Sequence, residues 1–263
     1  MNRNRCIAEI VPYAIAMSRV SLLGVPIDAL TRRQAVDRIR AMLKETGGKH
    51  VMTPNSEMLV EAVRHTEFRI LLNRTALNLP DSMGLLWMAQ VTNQHLPHRV
   101  TGVDTVTRLL EDLGSEHPVF LLGAAPGIAD RAAAKLRERN PALTIAGTDA
   151  GASASYDAPR ILEKINASKS HLLLVAFGAP TQDLWLNRHL DKLPSVRVAM
   201  GVGGTFDFLA GTVKRAPKIV RVLGLEWLWR LVLQPSRWRR IVRAVIVFPM
   251  LVIRYGKEAP HGK

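Results

Sequence analysis

Cysteine is nearly absent from this sequence: Cys6 is the only one in 263 residues. A lone thiol forms no internal disulfide, which excludes a disulfide-stapled scaffold and points to a reducing compartment. Aromatic residues make up only 5%, and three of the five Trp fall late, at Trp227, Trp229 and Trp238. Long apolar runs are missing too. None reaches the roughly 18 to 20 residues that a spanning helix needs. The longest late stretch, 244–253, holds ten residues and contains Pro249. It is too short to cross a bilayer but long enough to lie in its surface. Several chemistries lack their motifs. There is no Asp-X-Asp pair to hold a metal on a diphosphate, no G-x-S-x-G and no G-x-x-x-x-G-K-[ST]. The histidines are scattered, and His95 and His98 in "HLPH" have no Cys or acid beside them, so no metal site is expected. Acid is the scarcer sign of charge, 22 Asp and Glu against 36 Lys and Arg, for a net +14. That surplus suggests a polyanionic partner: nucleic acid, acidic lipid or a phosphorylated substrate.

What is present suffices for a substantial core, since 48% of the residues are apolar. The first residues, "MNRNRCIAEIVPYAIAMSRV", resemble a signal peptide only faintly, because Glu9 and Pro12 interrupt the apolar stretch. Residues 1–19 are read as a poorly ordered leader. Beyond them, short apolar runs ending in Gly or Pro alternate with amphipathic stretches. The strand candidates are "HVMTP", "ALNLP", "PVFLLG", "LTIAG", "LLLVAFG" and "VRVAMG". This alternation predicts an α/β fold over residues 20–213, a Rossmann-like and mostly parallel sheet with helices on both faces. Such sheets bind ligands outside the carboxyl ends of their strands. From residue 214 the character changes: 214–257 carry eleven Lys or Arg and one acid, Glu226. Residues 214–263 read as a basic, amphipathic, helical appendage suited to a membrane surface. Truncation after about residue 213 is expected to leave a soluble core.

The strand-end loops hold the candidate site. "LLGAAPG" brings Gly123 to the start of a helix, where backbone N–H groups can meet an anion. "AFGAPTQDLW" supplies Gly178 and Gln182, the latter a base or sugar contact or a plain first-turn residue. "GVGGTFDF" supplies Gly201, Gly203 and Thr205, with Asp207 as a ligand contact or, more commonly, a cap. "MTPNSEM" places Thr53 at a strand end and Asn55 at an N-cap position. Three glycine-containing strand ends on one sheet edge favour a nucleotide or nucleotide-sugar. In "NLPDSMG" one carboxylate, Asp81, stands between apolar runs, as a helix cap or a catalytic group.

In order along the chain come "TPNSEMLVEA", "NLPDSMGLLW", "RVTGVDTV", "VFLLGAAPG", "VAFGAPTQDLW", "MGVGGTFDFLAGTVKRAPK" and "LGLEWLWRLVLQPSRWRR". Together they resemble the WecG/TagA/CpsF family of bacterial glycosyltransferases, over about residues 20 to 250. The resemblance implies an inverting, metal-independent transfer that needs no cofactor. The donor is a UDP-sugar carrying N-acetylmannosamine, its uronic acid or glucose. The acceptor is a sugar on undecaprenyl diphosphate, met by a peripheral enzyme at the cytoplasmic face of the membrane, in cell-surface or exopolysaccharide biosynthesis. It also implies roles for residues. The family's general base falls on Asp81, its donor-site Thr on Thr53 with Asn55 close by, its Arg before "TG-D" on Arg99 and its Gln on Gln182. The arginines implicated in gripping the lipid diphosphate fall on Arg230, Arg237 and Arg240, with Pro235 standing between the first two as a helix breaker. Ser82 replaces the family's usual Gly, and "PTQD" its commoner P-K-Q-E.

The chemistry suits the residues. An inverting transfer needs one base, whereas a glycosidase generally needs two carboxylates. A free Asp titrates near ~3.9, and a closing appendage would raise that value by desolvation. Two other readings compete. A nucleic-acid-binding module would place its basic residues over the sheet face or in a helix-turn-helix, but the densest basic stretch here is apolar-interleaved and C-terminal. An NAD-dependent nucleotide-sugar-modifying enzyme would need a proper G-x-G-x-x-G. The sequence leaves the donated sugar and the oligomeric state open, a homo-oligomer included.

Overall fold

A computed structural model describes residues 18–151, 157–217, 219–220 and 224–260. The leader expected over 1–19 therefore falls outside the described residues up to position 17. The described chain opens with an antiparallel hairpin, β1 (Arg19–Leu22) and β2 (Val25–Asp28). Six further strands follow: β3 (Lys49–Met52), β4 (Leu77–Asn78), β5 (Val119–Gly123), β6 (Ile145–Asp149), β7 (Leu172–Ala176) and β8 (Val198–Gly201). They form one sheet in the order β4-β3-β8-β7-β5-β6, with every pairing parallel. The strands β5 and β7 are buried at every residue, as their unbroken apolar runs require of central parallel strands.

Helices cover both faces. On one lie α1 (Arg32–Lys44), α5 (Gly102–Glu111), α6 (Ile128–Arg139) and α9 (Thr205–Ala210), whose apolar residues share a cluster with Val51, Leu121, Leu174 and Met200 of the sheet. On the other, α7 (Ala158–Ser168) and α8 (Thr181–His189) pack on Phe120, Leu173 and Ala199. A third cluster joins the hairpin to α2 (Ser56–Arg64), α3 (Thr66–Arg74) and α4 (Met83–Val91).

The hairpin is not announced by its sequence. Leu23 and Gly24 both have positive φ, 54° and 74°, as a two-residue hairpin turn with the twist of its strands demands. The first of these positions ordinarily carries Asn, Asp or Gly. Leucine there hides the turn, and the surrounding contacts hold it in place. The N–H groups of Leu23 and Gly24 donate to Gly256 O and Lys257 O at 3.1 and 3.0 Å. A Cβ on Gly24 would stand 2.9 Å from the backbone of Ala259. Residues 256–259 therefore lie directly on the turn.

The C-terminal part runs through α10 (Glu226–Leu233), a 3-10 turn (Pro235–Arg237), α11 (Trp238–Val242), a π turn (Arg243–Val247) and α12 (Phe248–Tyr255). Pro235 separates α10 from α11, as its ring dictates. Pro249 offers no N–H to the preceding turn, and the helix takes up π spacing just before it. Phe248 and Val252 are 0% and 1% exposed and belong to the third cluster. A cut at residue 213 would strip those side chains and uncover Leu59, Leu85 and their neighbours. Among the described residues no helix is long and apolar enough to cross a membrane.

Candidate active site

Because β3 and β4 pair in parallel, the loops that follow them leave the sheet side by side. Main-chain bonds fix one loop on the other. Leu79 N–H donates to Met52 O and Asp81 N–H to Pro54 O, each at 2.9 Å. From the far side, Val100 N–H donates to Pro80 O at 2.8 Å and Arg99 Nε to Asp81 O at 3.0 Å. Asp81 is thus held by its backbone on both sides, and its half-buried residue lines a cleft of about 330 Å³. Asn55, Arg99, Glu226, Arg237 and Arg240 line the same cleft, and Trp87 adds an apolar wall.

Helices α2, α4 and α5 all begin at this corner. Asn55 Oδ1 accepts from Met58 N–H at 3.0 Å and caps α2; Thr101 Oγ1 accepts from Asp104 N–H at 3.1 Å and caps α5. Converging N-termini make the corner electropositive. Asp81 does not cap α4, whose N-cap residue is Ser82. The Ser82 hydroxyl bonds instead to α2, accepting from Ser56 N–H at 3.1 Å and lying 2.9 Å from Ser56 Oγ. Gly84 is required two residues on, where a Cβ would collide with Ser56 Oγ.

The glycine loops behave differently from the sequence reading. Gly178 N–H and Gly203 N–H both donate to Gln182 Oε1, at 3.1 and 2.9 Å. Gln182 is 5% exposed and braces two strand ends against each other. A Cβ on Gly201 would stand 2.5 Å from Gln182 Nε2, so glycine there is a packing requirement. At Gly123 a Cβ would stand 2.8 Å from the carbonyl carbon of Ala176. Thr205 is buried and its hydroxyl donates to Val202 O at 2.6 Å. Thr53 is buried against Gly102. None of these seven residues lines the cleft. They form its foundation at the carboxyl edge of the sheet. A smaller hollow of about 130 Å³ links that edge to the cleft; it is lined by Gly204, Asp207 and Lys214 and shares Glu226 and Arg237 with it.

The C-terminal segment closes the cleft. Arg240 Nε pairs with both carboxylate oxygens of Glu57 at 2.9 and 2.8 Å, and Arg243 approaches Glu61 at 3.9 Å, so α11 docks on α2. The side chain of Arg230 lies outside the described residues. Arg215 pairs with Asp104 and lies 4.0 Å from Glu226, which in turn accepts from Arg99 Nη2 at 2.7 Å. Burial works to raise the pKa of Asp104, but hydrogen bonds from Arg215 and Thr101 outweigh it, and the carboxyl titrates below its ordinary value.

The structure thus unites Asp81, Asn55, Arg99, Arg237 and Arg240 in one cleft. Sequence reasoning missed Ser56, Glu57 and Glu226. Only Glu226 left a signal, as the sole acid in a stretch of eleven cations.

Comparison with known proteins identifies relatives of the whole chain. The chain is 31% identical over 222 residues to an N-acetylglucosaminyldiphosphoundecaprenol N-acetyl-beta-D-mannosaminyltransferase of Bacillus spizizenii, covering 83% of this chain and 85% of that protein. A Staphylococcus aureus protein of the same name is 30% identical over 251 residues, 94% of this chain and 96% of its own length. Residues 20–261, from the hairpin to the segment lying on its turn, match the profile of the Glycosyl transferase WecG/TagA/CpsF family. The chain belongs to that family and is a glycosyltransferase, specifically a hexosyltransferase.

Proposed function

We propose that this enzyme moves N-acetylmannosamine from a UDP-sugar onto N-acetylglucosamine carried by undecaprenyl diphosphate, with inversion at the anomeric carbon. The observation that carries the reading is the shared cleft: Asp81 lines the same 330 Å³ hollow as Arg237 and Arg240, while the other two carboxylates in its wall, Glu57 and Glu226, are paired with Arg240 and Arg99. The names of the relatives supply the sugars and the lipid carrier. In the transfer, the acceptor hydroxyl oxygen bonds to the anomeric carbon as the bond from that carbon to the UDP oxygen breaks. The hydroxyl proton passes to the Asp81 carboxylate. Arg237, Arg240 and, on the same segment, Arg230 grip the acceptor diphosphate. The donor lies along the strand ends, near Thr53, Asn55, Arg99 and the loops of Gly123, Gly178, Gly201, Gly203 and Thr205, with Gln182 bracing two of them. Helix N-termini and arginines stabilise the departing UDP. The absence of any Asp-X-Asp pair supports a transfer without metal.

Residues 214–263 act on this reading as a membrane-associating part set on a 20–213 catalytic core. Trp238, Ile246, Met250 and Ile253 are 54%, 54%, 64% and 72% exposed on the segment that carries Arg239, Arg243 and Arg254. An apolar stripe flanked by cations suits the cytoplasmic face of an anionic membrane, to which the enzyme would bind peripherally. The test is a panel of UDP-sugars against synthetic polyprenyl-diphosphate N-acetylglucosamine, with and without chelator. Transfer from UDP-N-acetylmannosamine in both conditions is expected. Failure with every donor would sink the proposal, and a collapse in chelator would sink its metal-free form.

A further inference from the structure

Glu226 is the one acid in the basic stretch 214–257, and it is 7% exposed. A buried carboxylate is costly unless it is paired. It accepts from Arg99 Nη2 at 2.7 Å, and the same guanidinium donates from Nε to Asp81 O at 3.0 Å. One planar fork therefore joins the first turn of α10 to the backbone of the Asp81 loop. A second contact lies beside it. Gly224, two residues before Glu226 and at φ 73°, sits so close to α4 that a Cβ would stand 2.8 Å from Met83 Cγ. Met83 is two residues past Asp81. Residues 224–226 thus hold the Asp81 loop by a charged fork and by close packing.

We propose that Glu226 is a positioning residue: acting through Arg99, it sets the Asp81 loop at the depth and angle that base catalysis requires. This rests on the transferase reading above, with Asp81 as the base. The physical reason is the geometry of the fork. Without Glu226, Arg99 is drawn toward other acids or water and its Nε leaves the Asp81 carbonyl. The loop then keeps its bonds to Pro54 and Val100 but loses the one that fixes the Asp81 peptide plane. Displacement of a reacting group by about 1 Å costs on the order of 100-fold in rate. A lysine at position 99 could keep the ion pair, but its single nitrogen cannot serve both partners in this geometry.

The test compares the full-length wild type with Glu226→Ala, Arg99→Lys and the double variant, measuring kcat, KM for the UDP-sugar and Tm. Expected in Glu226→Ala is a fall in kcat of about 100-fold with KM within about 3-fold, as for lost positioning rather than lost binding; Arg99→Lys, at a residue also placed beside the donor, should lose kcat by a similar factor and raise KM as well. The double variant should be no slower than Arg99→Lys alone, because both changes break one device. Should Glu226→Ala fail to fold, Glu226→Gln, which keeps the shape of the side chain and removes its charge, decides the matter by the same loss or retention of kcat. Wild-type kcat in Arg99→Lys, or losses that multiply in the double variant, would overturn the inference while leaving the transferase reading intact. A wild-type enzyme that transfers no sugar would overturn that reading, and the inference with it.

Discussion

The hydroxyl of Ser82 accepts a hydrogen bond from the backbone N–H of Ser56 at 3.1 Å and lies 2.9 Å from the Ser56 hydroxyl. Ser82 follows Asp81, and Ser56 opens α2, so this pair ties the candidate base to the start of a helix. A helix has four N–H groups without partners in its first turn, and Ser82 satisfies one of them from another loop. Gly84 makes the approach possible, since a Cβ there would overlap Ser56 Oγ. Ser82→Gly is expected to cost about 1 kcal/mol, read as a drop in Tm of about 2–4 °C. Gly84→Ala should cost more, and adding Ser56→Ala should recover part of that loss. Equal melting of the wild type and all three variants would remove this contact from the account.

Asp81→Asn keeps the size of the side chain and its backbone bonds to Pro54 and Arg99. It removes the charge of the carboxylate and its capacity to take a proton. The expected outcome is a kcat at least about 100-fold lower, with UDP binding unchanged by calorimetry. Near-normal turnover would take the base role from Asp81.

On the C-terminal segment, Met250 and Ile253 are exposed while Phe248 and Val252 on the same helix are buried. The double variant Met250→Asp, Ile253→Asp should therefore fold normally. Its co-sedimentation with anionic vesicles should fall at least about 10-fold, each apolar side chain contributing roughly 1.5–3 kcal/mol on burial. Unchanged sedimentation would place membrane binding elsewhere.

A chain ending at residue 213 lacks Phe248 and Val252, which complete the cluster of Leu59, Leu72 and Leu85. Large-to-small changes at such sites cost about 2–5 kcal/mol each, comparable together to the whole stability of an ordinary domain. The truncated protein is expected to aggregate or to lose its cooperative melt. A sharp transition within a few degrees of the intact protein would contradict the packing described.

At the opposite edge of the sheet from the cleft, His117 Nδ1 and His171 Nδ1 are 3.2 Å apart. One must donate and the other accept, so the accepting ring is neutral and the two cannot both be charged. Burial lowers the pKa of each, with Arg197 adding to the effect in both. Burial likewise lowers His189, whose ring lies tilted against Trp185. The unfolded chain therefore binds protons near pH 6.5 that the folded chain refuses. These groups contribute their stability in full above that pH and lose it as pH falls toward the folded values. The urea midpoint should decline from pH 7 to pH 5, and His171→Asn should flatten that decline. An unaltered slope in the variant would assign it to other groups.

Much of this protein was legible in its sequence. Apolar runs such as "VFLLG" and "LLLVA" determine central parallel strands, because only burial on both faces suits them. Pro235 determines a break in the basic segment. The glycine-ended strands and the lone Asp81 mark the carboxyl edge of the sheet, since local chemistry alone restricts what can stand there. The hairpin at Leu23 and Gly24 was hidden, because its turn is held by Gly256 and Lys257, more than two hundred residues away. The tertiary structure alone decided what each glycine and polar side chain does. It turned Gln182 into a brace and seated Ser82 on α2. It folded the C-terminal helix into the core and placed a buried Glu226 against Arg99. Such outcomes depend on which distant atoms lie within about 3 Å, and spacing along a chain carries no record of that.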